Sequence, residues 1–430
     1  MGAYRGKSAL IVAVLVSALG WAGRPALADT SSASVDHSDQ GPYSGGSDDG
    51  NPAAAQSAPA EQAPSSPAPS STATPSTAPA APAPLTSFSA AGLRLGGIDF
   101  GAIFDGYYSI NNNHPVSGYN QLYNFDDKTD RADLYMLKMT ASRDPAPIGF
   151  RLDLGFGRAF ELIHVPPADP NAFRLIEQAF ISVKPKQLKG FEADFGAFTT
   201  SAGAEVIESK DNWNYSRSYL FALAEPYMHF GLRTSMPIGS SVTVGLQVVN
   251  GWNIIVDQYG NNMQTVGITG AITRKKFTWT NTYYTGPQYT PTTQGNRNLF
   301  DTVLLLTPTE KFSAYASYDY GQQHAIGGSG IYHWEGFAGA GHWQFAKRFA
   351  LSVRAEWYND ASGFTTGAVQ KLHEVTVTGE YKIMDGMLTR VEYRHDGSNV
   401  PYFDHGLQSA GSQTQSTTTF SFIAYFPAKH

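Results

Sequence analysis

The feature that most constrains this chain is an alternation of apolar and polar residues that recurs from about residue 98 almost to the C-terminus. In IGFRLDLGF (148–156), Ile148, Phe150, Leu152, Leu154 and Phe156 share one side, and Gly149, Arg151, Asp153 and Gly155 the other. SVTVGLQVV (241–249) sets Val242, Val244, Leu246 and Val248 against Ser241, Thr243, Gly245 and Gln247. FALSVRAEW (349–357) sets Phe349, Leu351, Val353, Ala355 and Trp357 against Ala350, Ser352, Arg354 and Glu356. Successive side chains of a strand point to opposite faces, so each segment is greasy on one face and wet on the other. Such runs predict strands near 98–110, 132–143, 148–157, 174–184, 191–199, 227–236, 241–251, 264–274, 277–285, 298–307, 312–321, 332–345, 349–359, 371–382, 386–395 and 417–426. That is about sixteen, within a range of about 12–18.

The connections alternate in length. Short turns at 144–147, 237–240, 274–275, 309–310 and 384–386 interleave with long segments at 111–131, 158–173, 200–226, 286–297, 322–331, 360–370 and 396–416. Short turns at one rim and long loops at the other are the rhythm of an up-and-down barrel, and a soluble sandwich has no reason to show it. The expected fold class is therefore all-β: a closed, antiparallel, transmembrane up-and-down β-barrel in the bacterial outer membrane. Aromatics on the apolar faces, such as Trp279, Tyr318 and Trp357, suit the two water boundaries. The last strand should end at Phe426, followed by four more residues.

Composition agrees. Charged residues are 15% of the chain and aromatics 13%, whereas a soluble domain carries about 25% charged residues. There is no cysteine to staple an exported chain, and a net charge of −6 gives no footprint for nucleic acid. The N-terminus has Arg5 and Lys7 before an apolar run and an Ala26-Leu27-Ala28 site, so 1–28 reads as a cleaved signal peptide of a Gram-negative exported protein. Residues 29–88 are Pro/Ala/Ser-rich with no bulky apolar residue, which predicts a disordered tether. The barrel takes 89–430.

The inward positions carry charge: Arg151, Asp153, His229, Arg233, Asp301, Asp319, Arg354, Glu356, Arg390, Glu392 and Arg394. An unpaired charge in apolar surroundings is costly, so these residues predict a hydrated lumen. Their signs alternate within strands, which favours structural pairing across the wall; rings of such charge also set ion preference in pores. Loop 200–226, with Glu205, Glu208, Lys210, Asp211 and Arg217, is long enough to fold inward and narrow a passage. Arg217 is the loop residue expected to reach toward His229 and Arg233.

Sharper chemistry is weakly signalled. Ser216, Ser218 and His229 lie close in sequence, but the serines precede a strand that holds the histidine and no G-x-S-x-G turn exists, so catalysis is not expected. The histidines are scattered without H-E-x-x-H spacing; His164, His324, His405 and Asp404 could meet only through loops. DDKTD (126–130) lacks the rest of a calcium loop and reads as a solvated segment. No metal and no cofactor are expected.

FGAFTTSAGAEVIESKDNWNYSRSYLFALAEPYMHFGLR (195–233), VVNGW (248–252), RAEWYNDASGF (354–364) and RVEYRHDGS (390–398) resemble the β-barrel porin 2, OmpL-like family over roughly residues 95–426. The resemblance implies a channel-forming, non-enzymatic outer-membrane protein that passes small hydrophilic solutes or ions by passive diffusion. The alternatives are a plugged structural or adhesion barrel with ligand-binding loops and, further off, an outer-membrane lipid hydrolase. Expected partners are outer-membrane lipid, the solutes, the barrel assembly machinery during biogenesis and other copies in a homotrimer, with no nucleic acid.

Overall fold

The computed structural model describes residues 93–164, 173–256, 264–288 and 294–426. The expected signal peptide (1–28) and tether (29–88) lie outside these residues. The strands are β1 (Leu93–Leu95), β2 (Ile98–Asn111), β3 (Arg131–Arg143), β4 (Ile148–Phe156), β5 (Ile176–Val183), β6 (Glu192–Thr199), β7 (Met228–Ile238), β8 (Val242–Val249), β9 (Thr265–Arg274) and β10 (Phe277–Pro287). They continue as β11 (Asn296–Thr309), β12 (Phe312–His324), β13 (Ile331–Ala346), β14 (Phe349–Asp360), β15 (Gln370–Met384), β16 (Met387–Ser398), β17 (Phe403–His405), β18 (Gln408–Ser412) and β19 (Thr414–Phe426).

The ring consists of β2 to β16 together with β19, sixteen strands in all, each antiparallel to its neighbours. It closes where β19 pairs with both β16 and β2. Closure matters in lipid, because an open edge would leave backbone groups with neither water nor a partner. Every expected strand is present. Three short strands were not anticipated: β1 turns back on β2, and β17 and β18 form a separate hairpin inside the last long loop. One short helix, α1 (Arg158–Ile163), follows β4.

The alternation does what a period of two requires. Along β14 exposure alternates residue by residue: Phe349, Leu351, Val353 and Trp357 are exposed to the surroundings, whereas Ala350, Ser352, Arg354 and Glu356 are buried. The exposed set is the lipid-facing band. The interior also holds apolar cores. Phe125, Tyr135, Phe160, Ile163, Tyr215 and Phe221 cluster on one side, and Tyr219, Leu220, Leu223, Trp252, Trp334 and Tyr358 on another. These belong to long loops and to inward wall positions, so the loops fold into the barrel. DDKTD is part of this filling: Asp126, Asp127 and Thr129 are buried, contrary to the expected solvated segment. Loop 112–130 turns inward, Phe125 enters the first core, and the Arg158 guanidinium holds both Asp127 oxygens, at 2.8 and 2.6 Å.

Candidate functional site

Loop 200–227 joins β6 to β7 and runs through the lumen. Its middle is apolar: Tyr219 to Ala224 are all buried, with Leu220–Ala224 wound as one π turn. Irregular backbone inside a barrel carries N–H and C=O groups that no ladder satisfies, and each left unpaired is costly. The charged wall supplies the missing partners. Glu392 on β16 accepts the N–H groups of Tyr215 and Ser216 at 2.6 and 2.8 Å. Glu356 on β14 accepts that of Tyr219 at 2.6 Å, and Asp301 on β11 that of Gly203 at 3.0 Å.

The arginines hold the carbonyls. Arg390 donates to Ser209 O at 2.6 Å and Asn212 O at 2.7 Å. Arg394 donates to Arg217 O at 2.6 Å, and Arg354 to Ser216 O at 2.7 Å. Carboxylates compensate these cations: Arg354 bonds Glu374 and the loop's own Glu205, each at 2.7 Å; Arg394 bonds Asp396 at 2.7 Å; and Arg390 bonds Glu380 at 2.7 Å. Charge-assisted bonds in water-poor surroundings are the strong ones. Burial pushes the Glu205 carboxyl up, but Arg354 and Arg217 outweigh it and hold it below its ordinary range.

The expected wall residues do face inward, and they fall into four groups. Arg354, Glu356, Arg390, Glu392 and Arg394 are brought together under the loop. Arg151 and Asp153 form an ion pair at 2.7 Å, with Gln178 on the same carboxylate. His229 and Arg233 flank Phe198, with the Arg233 guanidinium 4.6 Å from that ring and bonded to Asp194 at 2.8 Å. Asp301 and Asp319 are directly cross-strand on β11 and β12 and form the fourth group with Glu225 at the end of the loop. Burial, with Asp319 and Asp301 alongside, pushes the Glu225 carboxyl well above its ordinary range.

Two expectations are corrected. The wall charges under the loop are satisfied by loop backbone and neighbouring side chains rather than by a hydrated lumen; Arg354 and Arg394 are fully buried. Arg217 does not reach His229 or Arg233. It folds back on its own loop, donating to Val206 O at 2.8 Å and Ile207 O at 2.6 Å and facing the rings of Phe125, Tyr135 and Phe221. The side chains that could hold a metal together are acidic: among the described residues the one such group is Glu225, Asp301 and Asp319, and it includes neither Asp404 nor any histidine. No serine–histidine bond forms at the hydrolase candidates either. His229 bonds Gly251 O at 2.8 Å and Thr200 at 3.1 Å, while Ser216 and Ser218 bond Arg354 and the Phe221 N–H.

Sequence reading missed Glu374, Lys138, Glu177 and Tyr135. Glu374 and Lys138 stand at inward places of alternating runs, where a charge was the available signal. Glu177 and Tyr135 could not be found that way, because each is the extra residue of a β-bulge. Asp153 pairs with Gln178 and Leu154 with Ile176, and Asp105 pairs with Met136 and Gly106 with Leu134. A bulge shifts the period and puts two neighbours on one face. Lys138 thereby meets Glu177 and the loop's Glu208, and Tyr135 meets Arg217 at 2.5 Å.

A closed sixteen-stranded barrel with charge inside, apolar side chains outside and a long loop fastened across its lumen is an outer-membrane barrel of the porin type. A family model described as "Putative beta-barrel porin-2, OmpL-like" matches residues 97–426, and the chain belongs to that family. Solved structures with a similar fold include the outer membrane channel DcaP of Acinetobacter baumannii, with 8% identity, TM-score 0.54 and coverage of 78% of this chain and 100% of that one. The anion-selective porin from Comamonas acidovorans has 9% identity, TM-score 0.51 and coverage of 76% and 99%. Salmonella typhi OmpF in complex with daunomycin has 11% identity, TM-score 0.50 and coverage of 76% and 97%. At these identities the likeness is one of fold. No curated protein matches the sequence.

Proposed function

We propose that the protein is a non-enzymatic diffusion channel for small hydrophilic solutes or ions, with loop 200–227 setting its narrow point. One observation carries this reading. On β8, β9 and β10, roughly half the ring away from Arg390 and Glu392, the inward positions toward the turn rim are Thr243, Gly245, Thr269, Ala271, Thr278 and Thr280, and all remain partly or fully exposed. Small, uncharged and open to solvent, four of them threonines, they are what a wet passage beside the loop needs. Arg151 and Arg233, with side chains 19% and 13% exposed, are the expected wall arginines that keep enough exposure to bias the ions that pass. Purified protein in planar bilayers should give discrete conductance steps, with a reversal potential that shifts toward cations in Arg151→Gln and Arg233→Gln. A membrane silent over long recordings would sink the channel reading.

The plugged structural barrel is favoured by a different observation, the burial of Arg354, Arg394 and Asp153. It predicts silence in the wild type and conductance only when the loop is released.

A further inference from the structure

Glu225, Asp301 and Asp319 each offer a carboxylate oxygen, and the three oxygens lie within 4.8 Å of one another. All three residues are buried. Hydrogen-bond donors reach this group sparingly: the Gly203 N–H serves Asp301 Oδ1 at 3.0 Å, while Glu225 Oε2, Asp301 Oδ2 and both oxygens of Asp319 have none. The arginines of the facing wall are engaged elsewhere, Arg354 with Glu205 and Glu374 and Arg394 with Asp396. Carboxylates gathered out of water without a cation repel one another and forgo their hydration, which is expensive.

A second observation comes from outside the acidic group. Ser317 stands two residues before Asp319 on the same inward face of β12, is buried, and its Oγ has no hydrogen-bond partner. It lines a small cavity together with Glu205, Ser218 and Glu225. That unpartnered hydroxyl borders the same space as Glu225. The backbone is shaped around the same point: Gly203 has φ +87°, and a Cβ there would stand 2.1 Å from Glu225 Oε2.

We propose that Glu225, Asp301 and Asp319 bind one divalent cation of the calcium or magnesium type, tying the end of the loop to β11 and β12. The donor set is all oxygen, with no imidazole or thiolate, which selects a hard cation over zinc or copper. The cation would link the loop to β11 and β12, which reach it through the Gly203–Asp301 bond at 3.0 Å and the Tyr315 hydroxyl's bond to Glu205 at 3.5 Å.

The test does not depend on conduction. The full chain, refolded in detergent free of lipopolysaccharide and stripped with EDTA, is titrated with CaCl2 and separately with MgCl2 in a calorimeter near neutral pH. About one ion should bind per chain, the midpoint of heat unfolding should rise with the ion, and Asp319→Asn should weaken binding by at least about tenfold and abolish the rise. If that variant does not refold, Asp301→Asn takes its place with the same expectation. No binding heat from either ion with unchanged melting in the wild type, as for carboxyls that share protons instead, overturns the proposal. So does undiminished binding in the variant.

Discussion

The walls formed by β14–β16 and by β8–β10 are built on the same ladder and the same alternation, yet their inward faces have opposite fates. Under β14–β16, Arg354, Glu374, Glu392 and Arg394 are dry and each is committed to the loop or to a neighbouring side chain. On β8–β10, Thr243, Thr269 and Thr280 make no such attachment and remain open to solvent at the turn-side half. Inward polarity in a barrel therefore has two uses. One wall holds the loop; the other faces solvent.

The largest effect should come from breaking the holding wall at its centre. Arg354→Ala takes the nearest cation from the buried carboxylates of Glu205 and Glu374, leaving only the more distant Arg394 at 3.7 Å beside Glu374, for a loss of about 3–5 kcal/mol. Heat-modifiability on gels should show the lower midpoint, and bilayer recordings larger, noisier conductance as the loop comes loose. If Arg354→Ala leaves both unchanged, the anchoring account is wrong. Next comes Glu392→Gln, which keeps the shape but replaces a charged acceptor of two loop N–H groups and Thr378. A cost of about 1–3 kcal/mol is expected from chemical denaturation.

Acid should act through the same anchors. Burial pushes Glu208 up, but Lys138 and Lys210 outweigh it and bring its carboxyl from 4.5 down to about 2. A depressed acid stabilises the fold above its unfolded value and loses that contribution as pH falls through the folded one. Melting midpoints should therefore decline between about pH 4.5 and 2, less steeply in Glu208→Gln. Asp126 has the opposite sign: burial, helped by Glu392, pushes it from 3.8 up to about 8. Its contribution is complete below 3.8 and is lost by the time pH has risen through 8, so Asp126→Asn should flatten the decline in melting midpoint between about pH 4 and 8. The smallest stability effect belongs to the open wall. Thr243→Lys should change melting by no more than about 0.5 kcal/mol, while shifting the reversal potential toward anions. A large loss of stability there would show that the wall is packed.

Much of this was legible in the sequence. The strands lie close to where alternation puts them because the side-chain period of a strand is fixed, and Arg354, Glu356, Arg390, Glu392 and Arg394 face inward for the same reason. The four blocks that carry the family resemblance include the loop, Arg354 and Glu356 on β14, and Arg390 to Asp396 on β16, so the motif was visible before its mechanics were. What these charges touch was not visible. Glu392 meets Tyr215, far away along the chain, and nothing local in RVEY specifies a partner on a loop. Glu177 and Tyr135 escaped for a different reason, since a bulge leaves no mark in a pattern that assumes a constant period.

By itself, then, the sequence determined the ring: about sixteen strands, which face meets lipid, which face carries charge, and which loop is long enough to enter. These follow from local rules, the two-residue repeat and the cost of placing charge in hydrocarbon. Tertiary structure decided which inward charges stay wet and which are consumed. That depends on the path of one irregular segment, whose backbone must find hydrogen-bond partners away from water and finds them on β11, β14 and β16.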